Sequence, residues 1–95
     1  MHTAKTDLIH IKEYIEQDSA YYANKTVYGI KEKIKILLKF PYMGRYVPEF
    51  NFKLIRELIY KSYRIIYYVN SNNIYILKIF HHSQNILKFK SDLFQ

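Results

Sequence analysis

The 95-residue chain contains no cysteine and no tryptophan, and it has only eight acidic residues against fifteen Lys and Arg. Without cysteine, the protein can have no disulfide, no thiolate zinc site and no cysteine nucleophile, which is typical of an intracellular protein. No apolar run approaches the roughly 18 residues of a membrane span, and the N-terminus lacks the apolar core of a signal peptide. We therefore expect a cytoplasmic protein with no membrane partner and no cofactor.

The composition favours one folded domain over residues 1–95. Apolar residues make up 49% of the chain and aromatic residues 18%, with eleven tyrosines. Such a content argues against disorder and favours a β-rich core with a polar rim. A chain of this length can bury a single modest core.

The net charge of +7 is concentrated in the middle of the chain, where residues 31–64 carry nine basic and three acidic side chains. A basic surface of this kind favours binding to a polyanion or to an acidic protein. Lys31, Lys35 and Lys39 recur at intervals of four, so part of this charge also fits a solvated helix face. Both interpretations remain open at this stage.

Two helices are predicted in the first half of the chain. Leu8, Ile11 and Ile15 recur at helical spacing and predict a helix from about Ala4 to Gln17 with Thr3 as its N-cap. A longer pattern predicts a second helix, which begins after Ser19 and ends before Pro41. Together they should form a helical hairpin.

From Lys53 onward the hydrophobic period changes to two, which predicts β-strands. The predicted strands are Lys53–Tyr60, Tyr63–Val69 and Ile74–Phe80, joined by turns of two and four residues. This register places Arg64 on one face of the sheet with Ile55, Glu57, Ile66, Leu77, Ile79 and His81. The opposite face, which includes Arg56, is more apolar and should carry the helices; its other members are Leu54, Leu58, Tyr63, Ile65, Tyr67, Val69, Ile74, Ile76 and Phe80. The predicted fold is α+β, with an N-terminal helical hairpin packed on a three-stranded antiparallel meander and a short C-terminal segment.

Five short motifs occur in an order that resembles the RelE/ParE toxin superfamily of type II toxin–antitoxin systems. They are Ala4-x-x-Asp7-Leu8 with Ile11 and Tyr14-Ile15, Phe40-Pro41-x-x-Gly44-Arg45, Arg56-Glu57-Leu58, Tyr63-Arg64-Ile65-x-Tyr67, and Ile76-Leu77-x-Ile79-x-His81. The resemblance covers nearly the whole chain and implies the α+β fold predicted above. Members of this superfamily usually begin with a strand, but only three residues precede Ala4 here, so we expect that strand to be missing.

The resemblance implies a toxin with a cognate antitoxin partner and one of two targets. ParE-like toxins act on DNA gyrase, whereas RelE-like toxins are ribosome-dependent mRNA endoribonucleases. The Arg56-Glu57 pair is typical of the ParE branch, and the basic residues that the ribosome-dependent branch carries at the positions of Ile55 and Glu57 are absent. We therefore expect a ParE-like toxin; the alternatives are a RelE-like, metal-independent ribonuclease and an inactive remnant or nucleic-acid-binding module.

Ribonuclease chemistry would need a base, a cation and an acid around the scissile phosphate. The candidates by resemblance are Glu49 as base (Glu57 is a second possibility), Arg64 as cation, and His81 or His82 as acid. The two histidines have no third ligand at local spacing, so we expect no metal site.

The candidate binding residues are Arg45, Lys53, Arg56, Glu57 and Arg64. Each also has a structural interpretation. Arg64 is a diagonal cross-strand neighbour of Glu57 in the predicted register and should pair with it. Arg56, on the helix side, should pair with a carboxylate such as Asp7 or Glu49.

Overall fold

Two helices precede four strands in the chain. In the computed structural model, which describes residues 4–50, 54–71, 73–84 and 86–88, helix α1 spans Ala4–Glu16 and helix α2 spans Ala20–Leu37. The strands are β1 (Arg45–Tyr46), β2 (Ile55–Tyr60), β3 (Tyr63–Asn70) and β4 (Asn73–His81). Residues 86–88 are helical. Within the described ranges, no helix is both long and apolar enough to cross a membrane.

Both predicted helices are confirmed to within three residues at each end. Ser19 is the N-cap of α2, and its hydroxyl accepts a hydrogen bond from the backbone N–H of Tyr22 at 3.2 Å, as expected for a serine at this position. The predicted N-cap Thr3, the expected absence of a strand ahead of α1 and most of the C-terminal segment fall on residues outside the described ranges.

The sheet has four antiparallel strands in the order β1-β2-β3-β4, so the predicted count of three was one too low. The additional strand, β1, is only two residues long and pairs Arg45 with Glu57 and Tyr46 with Arg56. A strand this short carries no alternating pattern, since a period of two needs several repeats to be visible. It matters for function because it brings Arg45 beside Glu57.

The β3–β4 pairing contains a bulge between Ile66 and Tyr67, which the sequence did not predict. Before the bulge Tyr67 pairs with Ile76, and after it Ile66 pairs with Lys78, so Leu77 is the extra residue. A one-residue offset moves every following side chain to the other face. The prediction for Ile79, Phe80 and His81 was therefore wrong, because each side chain lies on the opposite face of the sheet from the one predicted.

Each face of the sheet carries its own hydrophobic cluster. On the helix side, Ile30 and Leu37 of α2 pack with buried residues of the strands, which are Leu58, Ile65, Tyr67, Val69 and Ile79. On the face of Arg64, a second cluster contains Val47, Phe50, Ile55, Ile66, Phe80 and Ile86. The 47–50 segment thus covers part of the sheet face opposite the helices.

Helix α1 is fixed to the outer edge of β4 by the buried carboxylate of Asp7. Its Oδ2 accepts the backbone N–H of Ile79 at 3.0 Å, and its Oδ1 binds Nζ of Lys78 at 2.5 Å. A buried carboxylate is tolerated when it is both paired and hydrogen-bonded, as here. Asp7 therefore pairs with Lys78, and the predicted pairing with Arg56 was wrong.

Candidate functional site

Two arginines and two glutamates meet on the sheet face opposite the helices; we call this group, Arg45, Glu49, Glu57 and Arg64, the ion cluster. The side chain of Glu57 is fully buried, and its Oε1 accepts Nε of Arg45 at 2.6 Å. Its Oε2 accepts Nε of Arg64 at 2.8 Å and lies 2.6 Å from a terminal nitrogen of the same guanidinium. The predicted cross-strand pairing of Arg64 with Glu57 is confirmed.

Arg64 holds a second carboxylate at the same time. Its two terminal nitrogens bind the two carboxylate oxygens of Glu49 at 3.0 and 2.8 Å. Such two-point pairs are among the stronger ion contacts, because the planar guanidinium matches the carboxylate. All five N–H groups of a guanidinium point in fixed directions, so most of the directional capacity of Arg64 is committed inside the protein.

These contacts favour the charged forms of Glu49 and Arg64. The hydrogen bonds from Arg64 hold the pKa of Glu49 below its ordinary value of 4.5. In turn, the hydrogen bonds to Glu49 raise the pKa of Arg64 above its ordinary value. Both groups are therefore charged at neutral pH.

A cleft of about 370 Å³ lies beside the ion cluster. It is lined by Arg45, Pro48, Glu49, Ile59, Lys61, Ser62, Tyr63, Arg64 and His82. The side chain of Arg64 is only 14% exposed, whereas that of Arg45 is 63% exposed. A molecule that enters the cleft would therefore contact the exposed guanidinium of Arg45 before the largely buried guanidinium of Arg64.

The two neighbouring histidines line different clefts, although their rings stack with centroids 4.5 Å apart. His82 lines the cleft with Arg64, but His81 lines a second cleft between α1 and the end of β4, beside His10 and Tyr14. The β4 bulge places His81 on the helix side of the sheet, opposite Tyr63. There its Nδ1 lies 2.7 Å from Oγ of Ser83. Within the described ranges, no three His, Asp or Glu side chains are grouped in a way that could hold a metal ion.

The remaining predicted residues do not join the ion cluster. Lys53 lies outside the described residues. Arg56 is on the helix side, where its NH1 donates to the carbonyl oxygens of Gly44 at 2.9 Å and Tyr42 at 3.3 Å. The prediction that Arg56 pairs with Asp7 or Glu49 was wrong, since both carboxylates are bound by other cations.

The loop that carries the cluster is held by a buried tyrosine. The hydroxyl of Tyr67 accepts the N–H of Gly44 at 2.9 Å and donates to the carbonyl oxygen of Pro41 at 2.9 Å. A Cβ on residue 44 would lie 2.6 Å from the carbonyl oxygen of Glu57, so only glycine allows the chain to approach β2 this closely. This contact places Arg45 directly opposite Glu57.

Comparison with known proteins identifies the family. The family model described as "ParE toxin of type II toxin-antitoxin system, parDE" matches residues 1–86. The chain belongs to this ParE toxin family. It is thus the toxin component of a type II toxin–antitoxin system, as the motifs indicated.

The structure of this ParE-family toxin also resembles a solved one. A chain from the "Chromosomal ParDE TA system from P. aeruginosa" superimposes with a TM-score of 0.68 at 24% sequence identity. The match covers 85% of this toxin and 89% of that chain, and it confirms the α+β fold. A comparison with curated proteins finds no significant match.

The principal feature of the site that the motifs did not reveal is the role of Arg45 in this ParE-family toxin. The Gly44-Arg45 motif drew attention to the residue, but nothing in the local sequence indicated a two-residue strand or a contact with Glu57. The only available signal was the glycine itself, because a close approach of two backbones often requires one.

Proposed function

We propose that this ParE-family toxin acts on DNA gyrase by binding to it and does not cleave RNA. The observation that carries the proposal is the double engagement of Arg64 by Glu49 and Glu57. A ribonuclease needs a cation that can turn toward the developing charge on phosphate. Arg64 is already neutralised by two carboxylates, one of them fully buried.

The candidate base and acid also argue against ribonuclease activity. Arg64 lowers the pKa of Glu49, and a carboxylate with a lowered pKa is a weak base for a ribose hydroxyl. Glu57 has no exposed side-chain surface with which to reach a substrate. Of the two histidines, only His82 lines the cleft of Arg64.

What the cleft offers to a partner is a basic rim. Arg45 and Lys61 are exposed at its mouth. A rim of this kind suits an acidic protein surface, where charge steers the encounter and apolar contacts supply affinity. We assign the contact with gyrase to this rim, with Glu49, Glu57 and Arg64 as its rigid support.

Membership of the family implies a cognate antitoxin in the same cell compartment, which we take to be the cytoplasm. The net charge of +7 favours an acidic antitoxin. Because the antitoxin must prevent contact with the target, we expect it to cover the basic rim. Toxicity should then be lost when the two proteins are expressed together.

A second candidate function is supported by one observation. Glu49, Arg64 and His82 do line the same cleft, which is the minimum that a metal-independent ribonuclease of the RelE-like type would need. In that case substrate would have to displace Glu49 from Arg64. The experiment below distinguishes the two.

The test is controlled expression in bacteria with pulse labelling of DNA and protein synthesis during the first minutes. We expect DNA synthesis to fall first. The double variant Glu49→Gln/His82→Asn retains hydrogen-bonding groups but removes the acid and base, and it should remain toxic. Arg45→Ala at the exposed rim should weaken toxicity, whereas Lys35→Ala on α2 should not.

The opposite pattern would overturn the proposal. Protein synthesis that falls first, together with mRNA fragments that disappear in the Glu49→Gln/His82→Asn variant, would establish the ribonuclease. Circular dichroism of each purified variant separates loss of function from loss of fold.

A further inference from the structure

The second cleft, between α1 and the end of β4, has a volume of about 440 Å³. Small-molecule sites in proteins usually occupy roughly 300–1,000 Å³, so this cleft can hold a ligand of one or two rings. Tyrosine and histidine rings form most of its lining. Helix α1 supplies His10 and Tyr14, and the strands supply Tyr63 and His81.

The rings on the strand side of the second cleft are ordered before any ligand binds. Tyr63 lies edge-on to His81, with ring centres 5.4 Å apart and planes at 84°. The His81 ring in turn stacks on that of His82 at 4.5 Å. The backbone N–H of His81 also donates to Oε1 of Gln84 at 2.8 Å, which holds the end of β4 in place. Groups that are already ordered lose little entropy when a ligand binds.

Hydrogen bonds with Ser83 fix the position of the proton on the His81 ring. The backbone N–H of Ser83 donates to Nδ1 at 3.2 Å, and the Ser83 hydroxyl lies 2.7 Å from the same atom. A ring nitrogen that accepts a hydrogen bond carries no proton, so in the neutral imidazole the proton is on Nε2. Among the residues that the structure describes, this Nε2 has no hydrogen-bond partner. The His81 ring therefore offers one donor to a ligand.

Tyr63 offers a second donor. Its side chain is half-buried, and burial together with the neighbouring Tyr14 raises the pKa of its hydroxyl. The hydroxyl thus keeps its proton at neutral pH. It, too, makes no hydrogen bond to any residue in the described ranges. Polar groups of this kind, placed within a mostly aromatic lining, orient a bound ligand.

The charge of the second cleft limits the class of ligand. None of its described lining residues is Lys, Arg, Asp or Glu, so a phosphate or carboxylate would lose its water without gaining an ion pair. Ile11 is the sole aliphatic side chain in that described lining, which leaves little surface for an acyl chain. A metal ion would need an unprotonated Nε2 on His81, and the contact with Ser83 places the proton there. An uncharged planar ring with acceptor atoms meets all of these conditions.

We propose that the second cleft binds a small, uncharged aromatic heterocycle. The ligand ring packs beside Tyr63 and His81. Its acceptor atom, such as a ring nitrogen or a lactam oxygen, accepts hydrogen bonds from the His81 Nε2–H and the Tyr63 hydroxyl. Tyr14, at the exposed side of the cleft, covers the ring. The proposal goes beyond the action on gyrase, because the basic rim belongs to the other cleft.

The test uses NMR of the full chain with ¹⁵N-labelled histidine side chains, in which His81→Phe assigns the His81 signals. The probe is isoquinolinone, a planar bicyclic lactam, and its fully saturated analogue is a ligand of similar size without an aromatic ring. In the free protein we expect a protonated Nε2 and an unprotonated Nδ1 on His81. Isoquinolinone should shift the Nε2 signal with a Kd below about 1 mM. The saturated lactam should bind at least about fivefold more weakly.

Two substitutions with matched controls assign the binding to this cleft. Tyr63→Phe keeps the ring but removes the hydroxyl, and it should raise the Kd about fivefold, as expected for the loss of one hydrogen bond. Tyr14→Ala removes the exposed cover and should raise the Kd about threefold. The controls are Tyr75→Phe on β4 and Tyr28→Ala on α2, which alter tyrosines of 49 and 66% exposure outside the cleft. Both should leave the Kd unchanged, and circular dichroism checks that each variant is folded.

Several results would overturn the proposal. The first is an unshifted His81 ring up to the solubility limit of isoquinolinone. The second is equal affinity for the saturated lactam, which would indicate nonspecific apolar adsorption. The third is a Kd that neither Tyr63→Phe nor Tyr14→Ala changes. Adenosine and AMP carry the same heterocycle without and with a phosphate; tighter binding of AMP at the His81 ring would assign the cleft to a phosphate-bearing ligand, whereas tighter binding of adenosine would support an uncharged one.

Discussion

Truncation of Glu57 provides the most direct test of how the ion cluster supports the fold. The Glu57→Ala change removes a fully buried carboxylate that accepts hydrogen bonds from Arg45 and Arg64. Loss of one member of a buried ion pair usually costs about 3–5 kcal/mol, because the other charge is left without compensation. Here Arg64 keeps Glu49, and the Arg45 head is exposed enough to regain water. We therefore expect a loss of about 3 kcal/mol in the free energy of unfolding, the lower end of that range.

The same reasoning predicts smaller losses in the free energy of unfolding for two related variants. Glu49→Ala should cost about 1.5 kcal/mol, because Glu49 is partly exposed and Arg64 retains Glu57. Glu32→Ala, which breaks an exposed pair with Lys35 on α2, should cost no more than about 0.5 kcal/mol. Urea unfolding followed by circular dichroism measures all three. A Glu57→Ala loss as small as that of Glu32→Ala, or smaller than that of Glu49→Ala, would refute the account.

Four further predictions follow from named contacts. The pKa of Glu49 is lower in the folded than in the unfolded chain, so the unfolded chain binds more protons near pH 4. The contribution of Glu49 to stability should therefore be complete above about pH 5.5 and should decline as the pH falls through 4.5 and below. Urea unfolding between pH 3 and 7 should show a flatter profile for Glu49→Gln. Gly44→Ala should destabilise the fold by at least about 2 kcal/mol in thermal or urea unfolding, since the new Cβ meets the Glu57 carbonyl, and adding Tyr67→Phe should not rescue it. Tyr67→Phe alone should cost about 2 kcal/mol because a buried N–H and a carbonyl lose their partner, whereas the exposed Tyr14→Phe should cost almost nothing. Asp7→Asn should speed hydrogen exchange at the Ile79 amide by weakening the link between α1 and β4; unchanged exchange would contradict that role.

The periodic elements were predictable because local spacing encodes them. The α2 cap at Ser19 and the β2–β3 register, with Tyr60 opposite Tyr63, follow from residues that are neighbours in the sequence. The diagonal contact of Glu57 with Arg64 then follows from that register. These contacts need no information from distant parts of the chain.

The features that could not be predicted depend on contacts between distant segments. The bulge at Leu77 leaves no mark in the hydrophobic pattern, because Ile79 and Phe80 are both apolar and can lie on either face. The strand β1 exists only because Gly44 lets the chain approach β2. The predicted partners of Asp7 and Arg56 were wrong for the same reason, because packing between distant segments, and not sequence spacing, decides which charged groups meet.

The central claim is that the toxin binds gyrase and does not cut RNA, and a reaction with purified components tests it most directly. Supercoiling of plasmid by purified gyrase is measured with increasing amounts of the toxin, alongside translating ribosomes supplied with a defined mRNA. The account predicts inhibition of supercoiling or trapped DNA cleavage at stoichiometric toxin, weakened by Arg45→Ala and retained in Glu49→Gln/His82→Asn, with the mRNA left intact. Unaffected gyrase together with mRNA cleavage that requires Glu49 and His82 would contradict it.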